Sequence, residues 1–221
     1  MRNYDIITFD CYGTLIDWES GIGAWFEENA AADRIAIGRS EALAAYAETE
    51  PAVEAETFRA YREVLTETVR RVAKRFGWTP APERARGLAD SLPGWKPFPD
   101  TNSALQRLAS AGHRLGILSN VDDDLLAGTL RHFPVRFDLL ITAQQVRSYK
   151  PAPGHFETAR RRIGDSRWLH AAQSRFHDVV PCRALGIPVA WVNRKGESGR
   201  EDVRPDIEVS TLAGLADRLG H

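Results

Sequence analysis

The fold of this chain is set by residues 4–15, which read Tyr4-Asp-Ile-Ile-Thr-Phe-Asp10-Cys-Tyr-Gly13-Thr-Leu15. The apolar run from Ile6 to Phe9 predicts a buried strand. It ends at a carboxylate, Asp10, and is followed by Gly13, a residue suited to a turn. Open parallel sheets bind their ligands at the carboxyl ends of their strands. Taken alone, Asp10 is more readily explained as a cap or turn residue, so its role depends on what the later strands deliver.

Residues 16–97 show helical periodicity throughout. Ser40 is a candidate cap for a second helix, and Pro51 predicts a break or a first helical turn. The longest apolar stripe recurs at steps of three and four residues, which predicts an amphipathic helix; it consists of Phe58, Tyr61, Leu65, Val69, Val72 and Phe76. We therefore expect an all-helical segment between the first strand and the rest of the chain.

From Thr101 onward, helical and strand patterns alternate to the end of the chain. Such alternation predicts a parallel sheet with helices on both faces. The predicted fold is α/β: a Rossmann-like core formed by residues 1–15 and 98–221, and an inserted helical cap formed by residues 16–97. A cap above the carboxyl edge of the sheet would shape a pocket and exclude water.

The composition gives a formal net charge of −1, with two cysteines in 221 residues. This balance offers no electrostatic argument for a nucleic-acid or membrane partner. No signal peptide or apolar run of membrane-spanning length is recognisable, so we expect a cytoplasmic protein with a small-molecule substrate. The apolar stripe of the helical segment could pack internally or against a second copy, which leaves a homodimer as an expectation.

Polar residues follow several of the predicted strands. Ser119 and Asn120 end the second strand and are suited either to holding the oxygens of an anion or to capping the next helix. Lys150 precedes a proline after the third strand; a lone lysine is usually solvated, but an ammonium near Asp10 would keep that carboxylate ionised. Asp178 follows the fourth strand and is a further candidate.

The residues from Phe9 to Leu15, FDCYGTL, resemble the first motif of the haloacid dehalogenase superfamily. Ser119, Lys150-Pro151 and the segment 173–178 resemble its other motif regions, in the family's order. The resemblance implies that Asp10 is a nucleophile, that Ser119 donates to the substrate or leaving group, and that Lys150 balances the charge.

Phosphatases of this superfamily usually carry a second Asp where this chain has Tyr12, and an acidic metal ligand where it has Gln173. Both departures favour metal-free chemistry, and the Asp-x-Tyr-Gly-Thr form resembles the L-2-haloacid dehalogenase branch, although that branch tends to show Ser-Ser-Asn where this chain has Gln173-Ser174-Arg175. That branch implies displacement of halide from a small 2-haloalkanoic acid through an ester on Asp10, which water positioned by Asp178 then hydrolyses. No cofactor is expected and no metal ligand is assigned. The expected substrate-binding residues are Tyr12, Thr14, Ser119, Asn120, Ser174 and Arg175.

The dehalogenase branch also uses an arginine of the cap to assist the departing halide. Arg34 and Arg39 lie in the corresponding region, although the stretch 45–50 carries acidic residues instead. Arg175 is a further hypothesis, as a cation supplied from the core. His170 and His177 are interpreted as packed histidines.

Two alternatives stay open at this point. The first is a phosphohydrolase that binds Mg²⁺ through Asp10, a backbone carbonyl and Asp178. The second is a catalytically silent member of the fold that serves as a binding or dimerisation module. Metal dependence separates the first alternative from dehalogenation, and the three charged residues Asp10, Lys150 and Asp178 argue against the second.

Overall fold

The computed structural model describes residues 3–198 and 203–220. Within these residues, six strands form one sheet in the order β3-β2-β1-β4-β5-β6, and every neighbouring pair is parallel. The predicted α/β fold is confirmed. The strands are β1 (Ile6–Phe9), β2 (Arg114–Ser119), β3 (Leu139–Thr142), β4 (Trp168–Ala172), β5 (Val189–Val192) and β6 (Ile207–Val209).

Helices cover both faces of the sheet, and a short 3₁₀ helix (Leu92–Gly94) and a π-helical turn (Arg175–Val179) accompany them. None of the helices in the described ranges is both long and apolar enough to cross a bilayer. The α-helices are α1 (Trp18–Ala32), α2 (Arg39–Glu54), α3 (Tyr61–Arg75), α4 (Pro82–Ser91), α5 (Thr101–Ser110), α6 (Asp123–Leu130), α7 (Ala143–Val146), α8 (Gly154–Ile163), α9 (Val180–Ala184) and α10 (Leu212–Leu219).

The alternation of side chains along the strands builds a separate apolar core on each face of the sheet. In β1, Ile6 belongs to the core that includes Phe156 of α8, whereas Ile7 belongs to the core that includes Leu105 of α5 and Leu215 of α10. Both cores are needed because a parallel sheet buries both of its faces. The central strand β1 is therefore held rigidly from both sides.

The strand register brings the polar residues to one edge. Phe9 pairs with Ile117 of β2 on one side and with Ala171 of β4 on the other. Asp10, Ser119 and Gln173 follow these pairs at the carboxyl ends of their strands, where ligands bind in open α/β sheets.

The segment between β1 and α5 contains α1–α4, which we call the cap helices. The two ends of this segment lie side by side: Ile16 forms an antiparallel β-bridge with Pro97, and Asp17 N–H donates to the Lys96 carbonyl (2.9 Å). The cap therefore joins the sheet through a pair of adjacent backbone connections. A division of the chain at 15/16 and 97/98 stays a prediction.

The second cap helix differs from the prediction. Gly38, not Ser40, is the N-cap of α2, and the Glu41 carboxylate accepts the Gly38 N–H (3.3 Å). The helix also runs through Pro51 instead of breaking there, and the Pro51 carbonyl still accepts the Ala55 N–H (3.1 Å). Proline removes one helical hydrogen bond, and packing of the surrounding buried residues of α2 against its neighbours sustains the helix through that gap.

Candidate active site

A buried ammonium joins the two carboxylates predicted to be catalytic. Lys150 Nζ lies 2.9 Å from Asp10 Oδ1 and 2.6 Å from Asp178 Oδ1, and it also donates to the Leu118 carbonyl (2.9 Å). Lys150 is 1% exposed. The structure thus brings together side chains that are far apart in sequence, through the ends of β1 and β2 and the two segments that follow β3 and β4.

The electrostatics of this cluster follow from burial opposed by ion pairing. Burial alone would lower the pKa of Lys150, but Asp10 and Asp178 outweigh it and raise that pKa, so the amine stays charged. Burial would raise the pKa of Asp178, yet Lys150 and His170 hold it well below its usual range. Burial raises the pKa of Asp10 despite the opposing Lys150 charge. Asp10 is therefore a poorly solvated carboxylate beside a fixed cation, as a nucleophile requires.

Thr14 and Asn120 hold the reacting groups in place. Thr14 Oγ1 donates to Asp10 Oδ2 (2.9 Å) and accepts the Gln173 N–H (2.9 Å). Asn120 Oδ1 accepts the Lys150 N–H (2.7 Å), and its Nδ2 donates to the Lys150 carbonyl (3.0 Å). In this structure the two residues orient the nucleophile and its cation, and their contact with substrate stays a prediction.

Three further predicted residues line a cavity of about 230 Å³ in front of Asp10: Tyr12, Ser119 and Ser174. The Ser119 hydroxyl is buried without a hydrogen-bond partner among the described residues. Ser174 caps the π-helical turn by accepting the His177 N–H (3.1 Å). The Tyr12 hydroxyl pairs with Thr129 Oγ1 (2.9 Å), and burial raises its pKa well above the ordinary value. Tyr12 therefore presents a neutral ring to the cavity.

The structure does not bring the predicted arginines to this cavity. Arg175 donates to the Val203 carbonyl (2.9 Å) and stacks on Trp191, 4.6 Å from the ring centre. Arg39 faces Glu27 at 3.8 Å near the surface. Neither residue lines the cavity, and neither does Arg34. Arg175, on the π-helical turn, makes these contacts outside the cavity wall, and its contact with substrate stays a prediction.

The cap helices supply most of the remaining cavity wall, including two carboxylates. Glu50 and Glu54 of α2 both line it, together with aromatic side chains. Glu50 Oε1 accepts the Tyr61 hydroxyl (2.9 Å), and the Glu54 carboxylate accepts Asn120 Nδ2–H (3.2 and 3.3 Å). The aromatic members of the wall are Trp18, Tyr46, Tyr61 and Trp95.

Comparison with known proteins identifies the family of this chain. A family model described as haloacid dehalogenase-like hydrolase matches residues 4–180. The chain belongs to the haloacid dehalogenase-like hydrolases. The family predicted from the motifs of residues 9–15, 119, 150–151 and 173–178 is thereby confirmed.

The similar proteins include both dehalogenases and a phosphatase. An (S)-2-haloacid dehalogenase of Pseudomonas putida is 26% identical over 99% of this chain and 98% of its own. A crystal structure of an L-2-haloacid dehalogenase superposes with a TM-score of 0.86 at 21% identity, over 99% of both chains. A glyceraldehyde 3-phosphate phosphatase of Methanothermobacter thermautotrophicus is 39% identical, but over 48% of this chain.

The candidate metal ligands of this hydrolase are few. In the described ranges, no group of three or more His, Cys, Asp or Glu is arranged to hold a metal ion. Asp178 Oδ2 lacks a hydrogen-bond partner there, but Gln173, at the position expected to be acidic, directs its amide toward Glu197 (3.4 Å). Two carboxylates and backbone carbonyls would remain for Mg²⁺, which is a sufficient protein contribution only when a substrate phosphate adds its own oxygens.

Sequence reasoning missed the histidine that positions Asp178. His170 Nε2 lies 2.9 Å from Asp178 Oδ1, and because a carboxylate can only accept, Nε2 carries the proton. Its Nδ1 pairs with Thr8 Oγ1 (2.8 Å), which also accepts Trp168 Nε1–H (2.7 Å). A histidine inside the apolar strand β4 was the available signal, since burying a polar ring is costly unless it is paired.

His177, Glu50 and Glu54 were also given no role from sequence. His177 lines the cavity with Nε2 3.7 Å from Glu54 Oε2, and burial lowers its pKa to about 4, so the ring is neutral at neutral pH. The two glutamates are four residues apart, which places them on one face of a helix. That spacing was visible, but nothing in the sequence showed that this face looks into the cavity.

Proposed function

We propose that this protein displaces halide from a small 2-haloalkanoic acid by attack of Asp10 on C2, followed by hydrolysis of the ester. The observation that carries the proposal is the pairing of a buried, cavity-lining Asp10 with Lys150 at 2.9 Å while the Tyr12 hydroxyl is bound to Thr129. Tyr12 stands where the family's phosphatases carry an acid. Halide needs no proton in order to leave, so a site without that acid suits it.

In the first step, a carboxylate oxygen of Asp10 forms a bond to C2 as the carbon–halogen bond breaks. The electron pair of that bond leaves with the halide, and C2 is inverted. Lys150 and Thr14 each hold one oxygen of the nucleophile. Fixing its orientation and limiting its hydration lower the barrier to attack.

In the second step, water attacks Cγ of the Asp10 ester. Asp178 orients that water through Oδ2, a role supported by the burial of this atom without partners among the described residues. Its depressed pKa favours orientation over strong basicity. One proton of the water ends on the departing C2 oxygen and the other is released. The products are a 2-hydroxy acid and Asp10, which now carries the oxygen of the water.

The test is halide release from racemic 2-chloropropionate in the presence of EDTA, with Asp10→Asn as the comparison. We expect turnover of one enantiomer by the wild type and none by the variant. A single turnover in ¹⁸O-water should place the label in Asp10 before it appears in product. Halide release by Asp10→Asn at the wild-type rate would disprove the role of Asp10.

The second candidate function is phosphate-ester hydrolysis, which the phosphatase relative at 39% identity favours. It predicts turnover of p-nitrophenyl phosphate with Mg²⁺ that EDTA abolishes. Both reactions would use Asp10 as the nucleophile, so the substrate and not the Asp10 variant separates them. Turnover of p-nitrophenyl phosphate without halide release from 2-chloropropionate would contradict the dehalogenase proposal.

A further inference from the structure

The cavity has a surplus of carboxylates over available cations. Asp10, Asp178, Glu50 and Glu54 all line it, and among the described lining residues Lys150 is the only Lys or Arg. An ammonium has three donors, and Lys150 already directs its nitrogen at Asp10, Asp178 and the Leu118 carbonyl. It therefore has no proton left for the carboxylate of a substrate.

The groups around the two cap glutamates do not neutralise them. Glu54 faces Asn120 and the neutral His177, and Glu50 faces Tyr61. The other ionisable groups that face this pair are themselves phenols or acids, apart from Lys150; they are Tyr46 on α2, Tyr149 and Asp10. Burial raises the pKa of Glu50 to about 7 and that of Glu54 well above its ordinary value, the latter helped by the Glu50 charge. A raised pKa favours the uncharged carboxyl, so this wall gains negative charge, and disfavours another anion, only as the pH rises and the glutamates ionise.

Unpaired polar atoms in the same cavity indicate what it accepts instead. Ser119 Oγ, His177 Nε2 and Asp178 Oδ2 are buried without hydrogen-bond partners in the described ranges, and all three residues line the cavity. Buried polar atoms normally find partners, so these three are open to a ligand. A carboxamide offers both an acceptor for a hydroxyl and N–H donors for carboxylates, whereas a carboxylate offers acceptors alone.

We propose that Glu50 and Glu54 act as a charge filter: once they ionise, the cavity takes the uncharged amide of a small 2-haloacid in preference to the anionic acid. The inference rests on the proposed function for its chemistry. Asp10 attacks C2 of the amide, halide leaves with the bonding electron pair, and water releases a 2-hydroxy amide while the C–N bond stays intact. The anion is accepted well only while the glutamates are protonated, since like charges at short range in a buried site repel.

The experiment compares kcat/KM for 2-chloropropionamide and 2-chloropropionate between about pH 6 and about pH 8, around the titration of Glu50. For the wild type we expect the amide to be preferred, and the acid-to-amide ratio to fall about tenfold as the pH rises, as one unit of pKa coupling to the bound anion gives. Glu50→Gln should raise use of the acid at the higher pH and flatten the ratio. Glu48→Gln, on the same helix but exposed, should behave as the wild type.

An acid-to-amide ratio that does not change with pH in the wild type, or that changes with pH in Glu50→Gln as it does in the wild type, would overturn the filter. Binding of lactate and lactamide to the wild type, measured by calorimetry, separates this outcome from failure of the proposed reaction. If no halide is released from either compound but lactate binds more weakly as the pH rises, the filter stands and the reaction is wrong. If both ligands bind equally at every pH, the filter is wrong whatever the reaction is.

Discussion

Lys150 shows how one side chain sustains both the fold and the site. Its ammonium is buried between two carboxylates, so replacing it leaves two buried negative charges without a partner. We expect Lys150→Met to abolish turnover and to lower the free energy of unfolding by about 3–5 kcal/mol, the range for breaking a buried ion pair from one side. Urea unfolding measures the loss, and Lys74→Met, an exposed lysine of α3, is the matched control. Equal stability of the two variants would refute this account.

The raised pKa of Glu50 predicts a pH-dependent contribution to stability. A carboxyl with a folded-state pKa above its unfolded value stabilises the protein fully at low pH, and this contribution is lost as the pH rises through the folded pKa. The pKa changes from 4.5 to about 7 on folding. Relative to Glu50→Gln, the wild type should therefore lose about 3 kcal/mol between about pH 4 and about pH 8.

Urea unfolding of both proteins across this range measures the difference, in which the contributions of carboxyls that do not interact with Glu50 cancel. Parallel pH profiles for wild type and variant would show that Glu50 has an ordinary pKa. Stability that is instead lost as the pH falls below about 4 would contradict the prediction, because it would indicate a lowered pKa.

Among individual residues, those that come directly after a strand could be predicted from the sequence. Asp10 is adjacent to β1, so its place at the sheet edge depends on the strand alone. Arg175 lies outside the cavity wall because it stands on a π-helical turn, which has no clear sequence signature. Glu54 was missed because its role depends on how α2 is rotated against the sheet, which local periodicity does not determine.

Among the secondary-structure elements, helix α1 packs closely against the Trp95 ring at Gly21. A Cβ added there would lie 2.5 Å from atoms of the Trp95 ring, and Trp95 lines the cavity and packs edge-on against Tyr12. Gly21→Ala must therefore displace the indole. We expect a loss of about 1–3 kcal/mol in unfolding free energy and a change in KM, measured by thermal unfolding and halide release.

Gly87 of α4 provides the matched control for this substitution. A Cβ there would meet Trp25 at 3.5 Å, an ordinary contact. Gly87→Ala should leave KM unchanged and stabilise the protein by up to about 1 kcal/mol, because alanine favours a helix over glycine. A stabilising Gly21→Ala would show that the Trp95 ring moves freely.

The elements themselves were mostly predictable, since strands and amphipathic helices carry their own periodicity. The exception at Pro51 is instructive: a proline normally ends a helix, yet α2 continues through it because residues on both sides are buried against neighbouring elements. Tertiary packing that overrides a local breaker cannot be read from the local sequence.

For the whole molecule, the decisive relation is that between the cap helices and the sheet, which encloses the cavity. Asp122, the N-cap of α6 in the segment after β2, accepts the N–H groups of Tyr61 (2.9 Å) and Arg62 (3.0 Å) at the start of α3. Ala60, the N-cap of that helix, has no side chain that could do so. The Asp122 carboxylate thus acts as the N-terminal cap of α3 from outside that helix. Sequence periodicity does not reveal this arrangement, because the two segments are about sixty residues apart.

Removing this link should loosen the cap without dismantling the sheet. Asp122→Ala leaves two N–H groups unpaired and removes a negative charge from the positive end of α3, so we expect a loss of about 1–3 kcal/mol. Hydrogen exchange should accelerate in α3 more than in β1 and β4, and KM should rise because Tyr61 lines the cavity. Asp124→Ala is the control: its contact with Arg62 is exposed, and should be worth less than about 1 kcal/mol. Equal exchange rates of α3 in the two variants would mean that the cap is held by its apolar contacts alone.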